Sequence, residues 1–259
     1  MKTIPSFNEN YPVKTFFTDY NDYKRTGGGK VASYIKRIGE ELSVPVIRMI
    51  RAKESHSGNV LVIDDKSPEG RLAYTDETCS IKAPGGYDSI VTNIPGLVAA
   101  VTTADCTPVF LYDPARHVAA MVHSGWRGTV SGIAVHTIEV MEAQFQTDPR
   151  DVIAAFGPCI CGHCYEVGRE LISLFEKRFS TEDIRLLFLP KAEGKYYLNV
   201  KEAVRTDLIR HGLQPENIYD TGICSYESEN YASYRRDGKL EKEKQTLSGI
   251  VLELRKETF

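Results

Sequence analysis

Short apolar runs separated by polar breaks dominate the first half of the chain, and runs of helical period become common in the second. Residues 44–50, 59–63, 89–92, 97–112 and 118–122 are β-rich or alternate between apolar and polar positions, which predicts strands. Asp113-Pro114 marks a turn between residues 97–112 and 117–122, so these two runs are expected to pair as neighbouring strands. Val130, Ile133, Ala134, Thr137, Ile138, Met141 and Phe145 recur at helical spacing and predict an amphipathic helix over residues 130–145. His136 lies off that stripe, so solvent exposure is expected for it.

Residues 152–156 read as a buried strand, and residues 169–179 as a helix with Leu171, Ile172, Leu174, Phe175 and Phe179 inward. The next helix starts at Asn199, whose side chain can cap the amide of Glu202 while the Glu202 carboxylate reaches back, as in a capping box. It stops at His211-Gly212, where glycine accepts a left-handed backbone. Strands near residues 217–224, 231–235 and 249–254 close the chain. Long β-rich blocks with few helices imply an α+β fold, with mixed β-sheets flanked by helices in one compact domain over residues 1–259. Gly27-Gly28-Gly29 lacks the Lys-Ser or Lys-Thr pair of a phosphate-cradling loop and reads as a flexible turn.

At 259 residues and 42% hydrophobic content the chain can bury a substantial core. A net charge of -3 implies no bulk attraction to nucleic acid or to acidic membrane surfaces. Tyr234-Arg235-Arg236 is too short to change that and reads as a solvated surface. The first residues lack the apolar core of a signal peptide, and no run of about 20 apolar residues is present. A cytoplasmic protein is therefore expected, in which the six cysteines are thiols or metal ligands.

Three residues carry candidate chemistry. Cys106 and His123 end the two paired runs, and His56 sits in the polar break Ser55-His56-Ser57-Gly58. Two imidazoles and a thiolate suit a metal with an open fourth position, zinc or copper. The same residues suit a cysteine hydrolase, with Cys106 as nucleophile, His123 as base and Asp105 orienting the base. Plain buried packing is the third reading. Cys159-Ile160-Cys161-Gly162-His163-Cys164 places four potential ligands in six residues, but a structural zinc knot draws on two separated ligand pairs and no second pair is visible. These are read as loop or buried thiols. Arg127 suits bidentate phosphate binding or a structural ion pair, Glu166 suits ribose hydroxyls, a proton shuttle or a carboxylate at the N-terminus of the helix that follows, and Trp126 suits packing or base stacking.

The segments Ser55-His56-Ser57, Asp88-Ser89-Ile90-Val91-Thr92, Thr103-Ala104-Asp105-Cys106 and His123-Ser124-Gly125-Trp126-Arg127-Gly128 resemble, in order, those of the bacterial YfiH-type laccase-domain family. Gly157-Pro158, Cys164-Tyr165-Glu166-Val167-Gly168 and Tyr234-Arg235-Arg236-Asp237-Gly238 extend the resemblance from about residue 50 to the C-terminus. It implies a purine nucleoside phosphorylase with possible adenosine deaminase activity, under a family name that also covers polyphenol oxidases. Purine nucleosides and phosphate would be its partners, and a metal, zinc with copper as the alternative, would be held by His56, Cys106 and His123. Copper-dependent polyphenol oxidation is the alternative activity. A non-catalytic partner in cell-wall or division biology is a further alternative. The chain departs from the family pattern at Glu54, where a glutamine is common, and at Cys159, Cys161 and His163.

Overall fold

A computed structural model describes residues 1–25, 31–46, 48–64, 66, 80–238 and 244–254. The glycine run 27–29, read above as a turn, lies outside the described residues, as does Cys79. Two sheets stack face to face. The first has the strand order Val13–Phe17, Thr246–Leu252, Leu97–Thr103, Arg48–Lys53, Ser80–Gly85. The second runs Ile218–Asp220, Ile153–Phe156, Thr107–Asp113, Val118–Ser124, Ser89–Thr92, Val60–Ile63. Both mix parallel and antiparallel pairs. A three-stranded sheet of Glu166–Gly168, Lys195–Leu198 and Phe188–Pro190 stands beside them.

The central strands are apolar on both faces because both faces are covered. Ile50, Ala99, Val101 and Ile250 of the first sheet meet Ile90, Phe110, Tyr112 and Met121 of the second across the interior. The outer face of the second sheet packs on helices Ile133–Phe145 and Val200–Arg210 through Ile138, Met141, Val204 and Leu208. Helix Val31–Leu42 covers the outer face of the first sheet with Tyr34, Ile35 and Ile38. The result is four layers in a single compact α+β domain. Among the described residues no helix is long and apolar enough to cross a membrane.

The run 97–112 is two strands, not one. Leu97–Thr103 belongs to the first sheet and Thr107–Asp113 to the second. The chain changes sheet at Ala104-Asp105-Cys106, where Asp105 takes a φ of 87°. Thr107–Asp113 then pairs antiparallel with Val118–Ser124, with Thr107 opposite Ser124. The predicted helix 130–145 is likewise interrupted: Trp126–Val130 and Ile133–Phe145 are separated at Ser131-Gly132, where Gly132 has a φ of 77°. His136 on the second of these is half-buried against the Gly58 carbonyl rather than exposed.

Other expectations need correction. The helix predicted over 169–179 is Glu170–Phe175 only. Asn199 caps the Glu202 amide at 3.1 Å, but its own N–H donates to the Leu187 carbonyl at 2.9 Å, which stands where a capping box would have Glu202. The reciprocal box forms at Ser180 and Asp183, ahead of helix Thr181–Leu187. The strand expected near 231–235 is a turn into the short helix Tyr234–Asp237.

Candidate metal centre

All three candidate ligands lie where the chain leaves the sheets on one side of the stack. His56 follows strand Arg48–Lys53 of the first sheet and precedes Val60–Ile63 of the second. Cys106 lies on another crossing between the sheets, and His123 is near the end of Val118–Ser124. Their donor atoms lie within 4.8 Å of one another. Cys106 Sγ is 3.9 Å from His56 Nε2, and the two imidazoles meet edge to face with centroids 5.0 Å apart.

Asp88 organises the cluster and was not singled out from the sequence. It is fully buried, and its carboxylate accepts the backbone N–H groups of Ser55, His56 and Ser57 at 3.2, 3.0 and 2.6 Å. These bonds fix the turn in which His56 adopts a φ of 57°, a left-handed conformation that is uncommon for a side chain with a Cβ. The same carboxylate lies 2.8 Å from His123 Nδ1, so Nε2 of that ring faces the other ligands. Burial alone would raise the Asp88 pKa, but these bonds hold it well below the usual carboxylate range.

Gly125 follows the His123 strand for a reason of space. A Cβ there would lie 2.9 Å from Cys106 Sγ and 3.0 Å from His56 Cδ2, although its φ of -82° suits any residue. Glu54 Oε1 accepts from the Thr102 N–H at 2.7 Å and the Thr102 hydroxyl at 2.9 Å. A glutamine oxygen would accept the same two bonds, so the departure at this position changes charge and not geometry.

The cluster is electrostatically primed for a cation. Burial disfavours the Cys106 thiolate, yet the His123 charge and bonds from both imidazoles bring its pKa down to about 6. Burial also disfavours charge on His123, but Cys106 and Asp88 push it up to about 10. Cys106 and His123 thus hold opposite charge in place of a cation, with the Asp88 carboxylate behind the imidazole, an arrangement that a divalent cation would take over. The donor set fits zinc, whose bonds of about 2.0–2.3 Å to N and S need these atoms to close in by an ångström or so. Copper accepts the same donors.

Asp105 does not orient His123, as a cysteine hydrolase would need. Its carboxylate accepts from Ser225 Oγ and from the Arg235 N–H, each at 2.7 Å, and Asp88 holds the imidazole instead. This contact draws Arg235 to the site.

The ligands open into a cleft of about 680 Å³, also lined by Arg127, Arg235, Tyr165, Trp126 and Ile160. Arg127 stacks on Trp126 at 4.1 Å and Arg235 on Tyr165 at 5.1 Å. Trp126 packs on the cluster of the small sheet, as expected. Glu166 is not among the residues lining the cleft. It lies on strand Glu166–Gly168, ion-paired with Lys191. Arg236, by contrast with the solvated reading, donates to the Ser225, Tyr226, Ser228 and Tyr231 carbonyls.

An α+β double sheet with a His-Cys-His cluster at the mouth of an open cleft defines a candidate metalloprotein class. The chain belongs to the family described as multi-copper polyphenol oxidoreductase laccase, whose model matches residues 22–250. It is 36% identical over 200 residues to adenosine deaminase RL5 from an unknown prokaryotic organism, covering 76% of this chain and 73% of that protein. It is 33% identical over 220 residues to a purine nucleoside phosphorylase of Bacteroides thetaiotaomicron, covering 84% and 76%. The crystal structure of YlmD from Geobacillus stearothermophilus superposes with a TM-score of 0.78 at 25% identity, over 94% of this chain and 93% of that one. That of the Bacillus licheniformis hypothetical protein YfiH gives 0.77 at 27% identity over 93% of each.

Proposed function

We propose that this protein is a zinc-dependent purine nucleoside phosphorylase that also deaminates adenosine. In this reading inosine, guanosine, adenosine or 5′-methylthioadenosine reacts with phosphate. The C1′–N9 bond breaks with its electron pair going to the base, and a phosphate oxygen bonds to C1′. The observation that carries the reading is the His56, Cys106 and His123 donor set at a cleft that also presents two arginines, each over an aromatic ring. The names of the relatives support the substrate class.

His56, Cys106 and His123 Nε2 would hold the zinc, which supplies Lewis acidity and a lowered pKa for bound water. Asp88 keeps the His123 Nδ1 proton turned away from the metal side and so fixes the tautomer that ligates. Arg127 and Arg235 each sit over a ring at the cleft, where their guanidinium N–H groups suit phosphate oxygens. Asp105 sets the position of Arg235 through the backbone. As the ribose turns cationic and the base anionic, these donors offset charge on the attacking phosphate. Tyr165 and Ile160 give the base an aromatic and an apolar wall.

The test is incubation of the metal-loaded protein with a purine nucleoside panel, with and without phosphate, following free base by chromatography. Base release that requires phosphate is expected. Arg127→Ala should lose roughly ten- to a hundred-fold of that rate, the equivalent of a charge-assisted contact of about 1.5–3 kcal/mol, while water-dependent deamination loses less. No base release from any purine nucleoside would remove the reading. Bound copper with oxygen uptake on a catechol would replace it with an oxidase, although six histidines in all are few for a multi-copper centre.

A further inference from the structure

A second set of metal-ligating side chains lies outside the centre described above. Cys161 and Cys164 occupy one turn, closed by the Cys164 N–H to the Cys161 carbonyl at 3.1 Å. Cys224 and Glu227 occupy another, closed by the Ser228 N–H to the Cys224 carbonyl at 3.1 Å. The two turns are brought side by side by a parallel bridge between Cys159 and Cys224, with the Ser225 N–H donating to the Cys159 carbonyl at 3.0 Å. The sulfurs of Cys161, Cys164 and Cys224 and a carboxylate oxygen of Glu227 all fall within 4.8 Å of one another.

The sequence alone showed the pair Cys161 and Cys164 but no second pair. The tertiary fold supplies it from the far side of the small sheet in sequence, and half of it is a carboxylate. Two ligand pairs, each at i and i+3 on its own turn, reproduce the spacing by which structural zinc sites are built. Tetrahedral zinc places thiolate sulfurs about 3.8 Å apart, so the four side chains need move by an ångström or less. Cys164 Sγ already lies 3.4 Å from Glu227 Oε1, and the Cys161 N–H points at Cys224 Sγ from 3.4 Å, a contact that favours a charged sulfur. The second turn is held in place by the Arg236 guanidinium, which donates to the carbonyls of Ser225, Tyr226 and Ser228.

We infer that Cys161, Cys164, Cys224 and Glu227 form a second, four-ligand structural zinc site, separate from the His56, Cys106 and His123 centre. Its place gives it a use. Ile160 and Tyr165, which flank the first pair, line the catalytic cleft. Asp105, at the crossing that carries Cys106, bonds both Ser225 beside the second pair and Arg235 of the cleft wall. Zinc at this point staples the loop that forms part of that wall to the turn on which Asp105 rests through Ser225.

The experiment counts zinc by mass spectrometry in full-length protein prepared anaerobically without chelator. Two ions per chain are expected in the wild type. Cys106→Ala should retain one, and the double variant Cys224→Ser, Glu227→Gln should lose that one alone. Because Cys224 is buried and its replacement can disturb folding, the Cys106→Ala protein is also loaded with cobalt. No thiolate remains at the first centre of that variant, so a sulfur-to-cobalt charge-transfer band must come from the second set. Absence of both metal and band from correctly folded Cys106→Ala protein would overturn the inference. So would a disulfide between any two of Cys161, Cys164 and Cys224 in the anaerobic wild type. Neither readout uses turnover, so the outcome is independent of the proposed activity.

Discussion

Asp88 shows how much of a site can hang on one residue that is not itself a ligand. It ties three consecutive backbone amides on one side and the His123 ring on the other. Asp88→Asn keeps the volume but replaces an acceptor oxygen with an NH₂ facing N–H donors. Zinc affinity should fall about ten- to a hundred-fold, measured by competition with a chromophoric chelator; unchanged affinity would mean the carboxylate is dispensable. The cysteines differ just as sharply. In zinc-free protein Cys106, with its pKa near 6 once the imidazoles offset burial, should alkylate readily at pH 7, and added zinc should protect it. Cys159, pushed up to about 12 by burial, should stay unlabelled in the same digest. His56, Cys106 and His123 were legible as candidates because imidazole and thiol are few and chemically distinctive. Asp88 was not, since one aspartate among 35 acidic residues is told apart only by the amides around it.

Secondary-structure elements place these residues through their ends. Gly125 begins helix Trp126–Val130 directly beside Cys106 and His56. Gly125→Ala suits the local backbone but forces a Cβ against both ligands. Its cost should therefore appear as weakened zinc binding, with thermal unfolding almost unchanged; a large fall in Tm with intact metal affinity would contradict this. Gly132, at the break between helices, is the opposite case. Its φ of 77° strains any residue with a Cβ, and a Cβ there would also displace the Arg178 guanidinium above it. Gly132→Ala should cost about 1–2 kcal/mol in denaturant unfolding from the backbone alone, plus any loss of the Arg178–Asp207 ion pair. This break was not visible in the hydrophobic pattern, because the apolar stripe continues in phase across residues 130–133 while the backbone does not.

The whole molecule is a stack of four layers, and its acid sensitivity should follow the buried charges between them. Asp22, 2% exposed, accepts a bond from Arg37 of helix Val31–Leu42 at 2.8 Å and one from the Asp19 N–H. Burial raises its pKa, but these contacts outweigh it and leave the folded value below the ordinary one. The stability it contributes is complete above the unfolded value of about 3.9 and is lost as pH falls through that value towards the lower folded one. Asp22→Asn should cost about 1–2 kcal/mol at neutral pH and flatten the urea midpoint below about pH 4. A variant with the wild-type pH profile would place the acid sensitivity elsewhere.

The order of apolar runs and the residue chemistry of three motifs were enough to assign the α+β class and the three candidate ligands. That is because strand period, helix period and the rarity of His and Cys are local properties of the chain. The change of sheet at Asp105, the pairing of Arg235 with the cleft, the removal of Glu166 to an ion pair with Lys191, and the meeting of Cys161 and Cys164 with Cys224 and Glu227 were decided by the tertiary structure alone. Each depends on which of several similarly apolar strands become neighbours. That choice is made by the packing of both faces of two sheets at once, and it is not written in any single window of sequence.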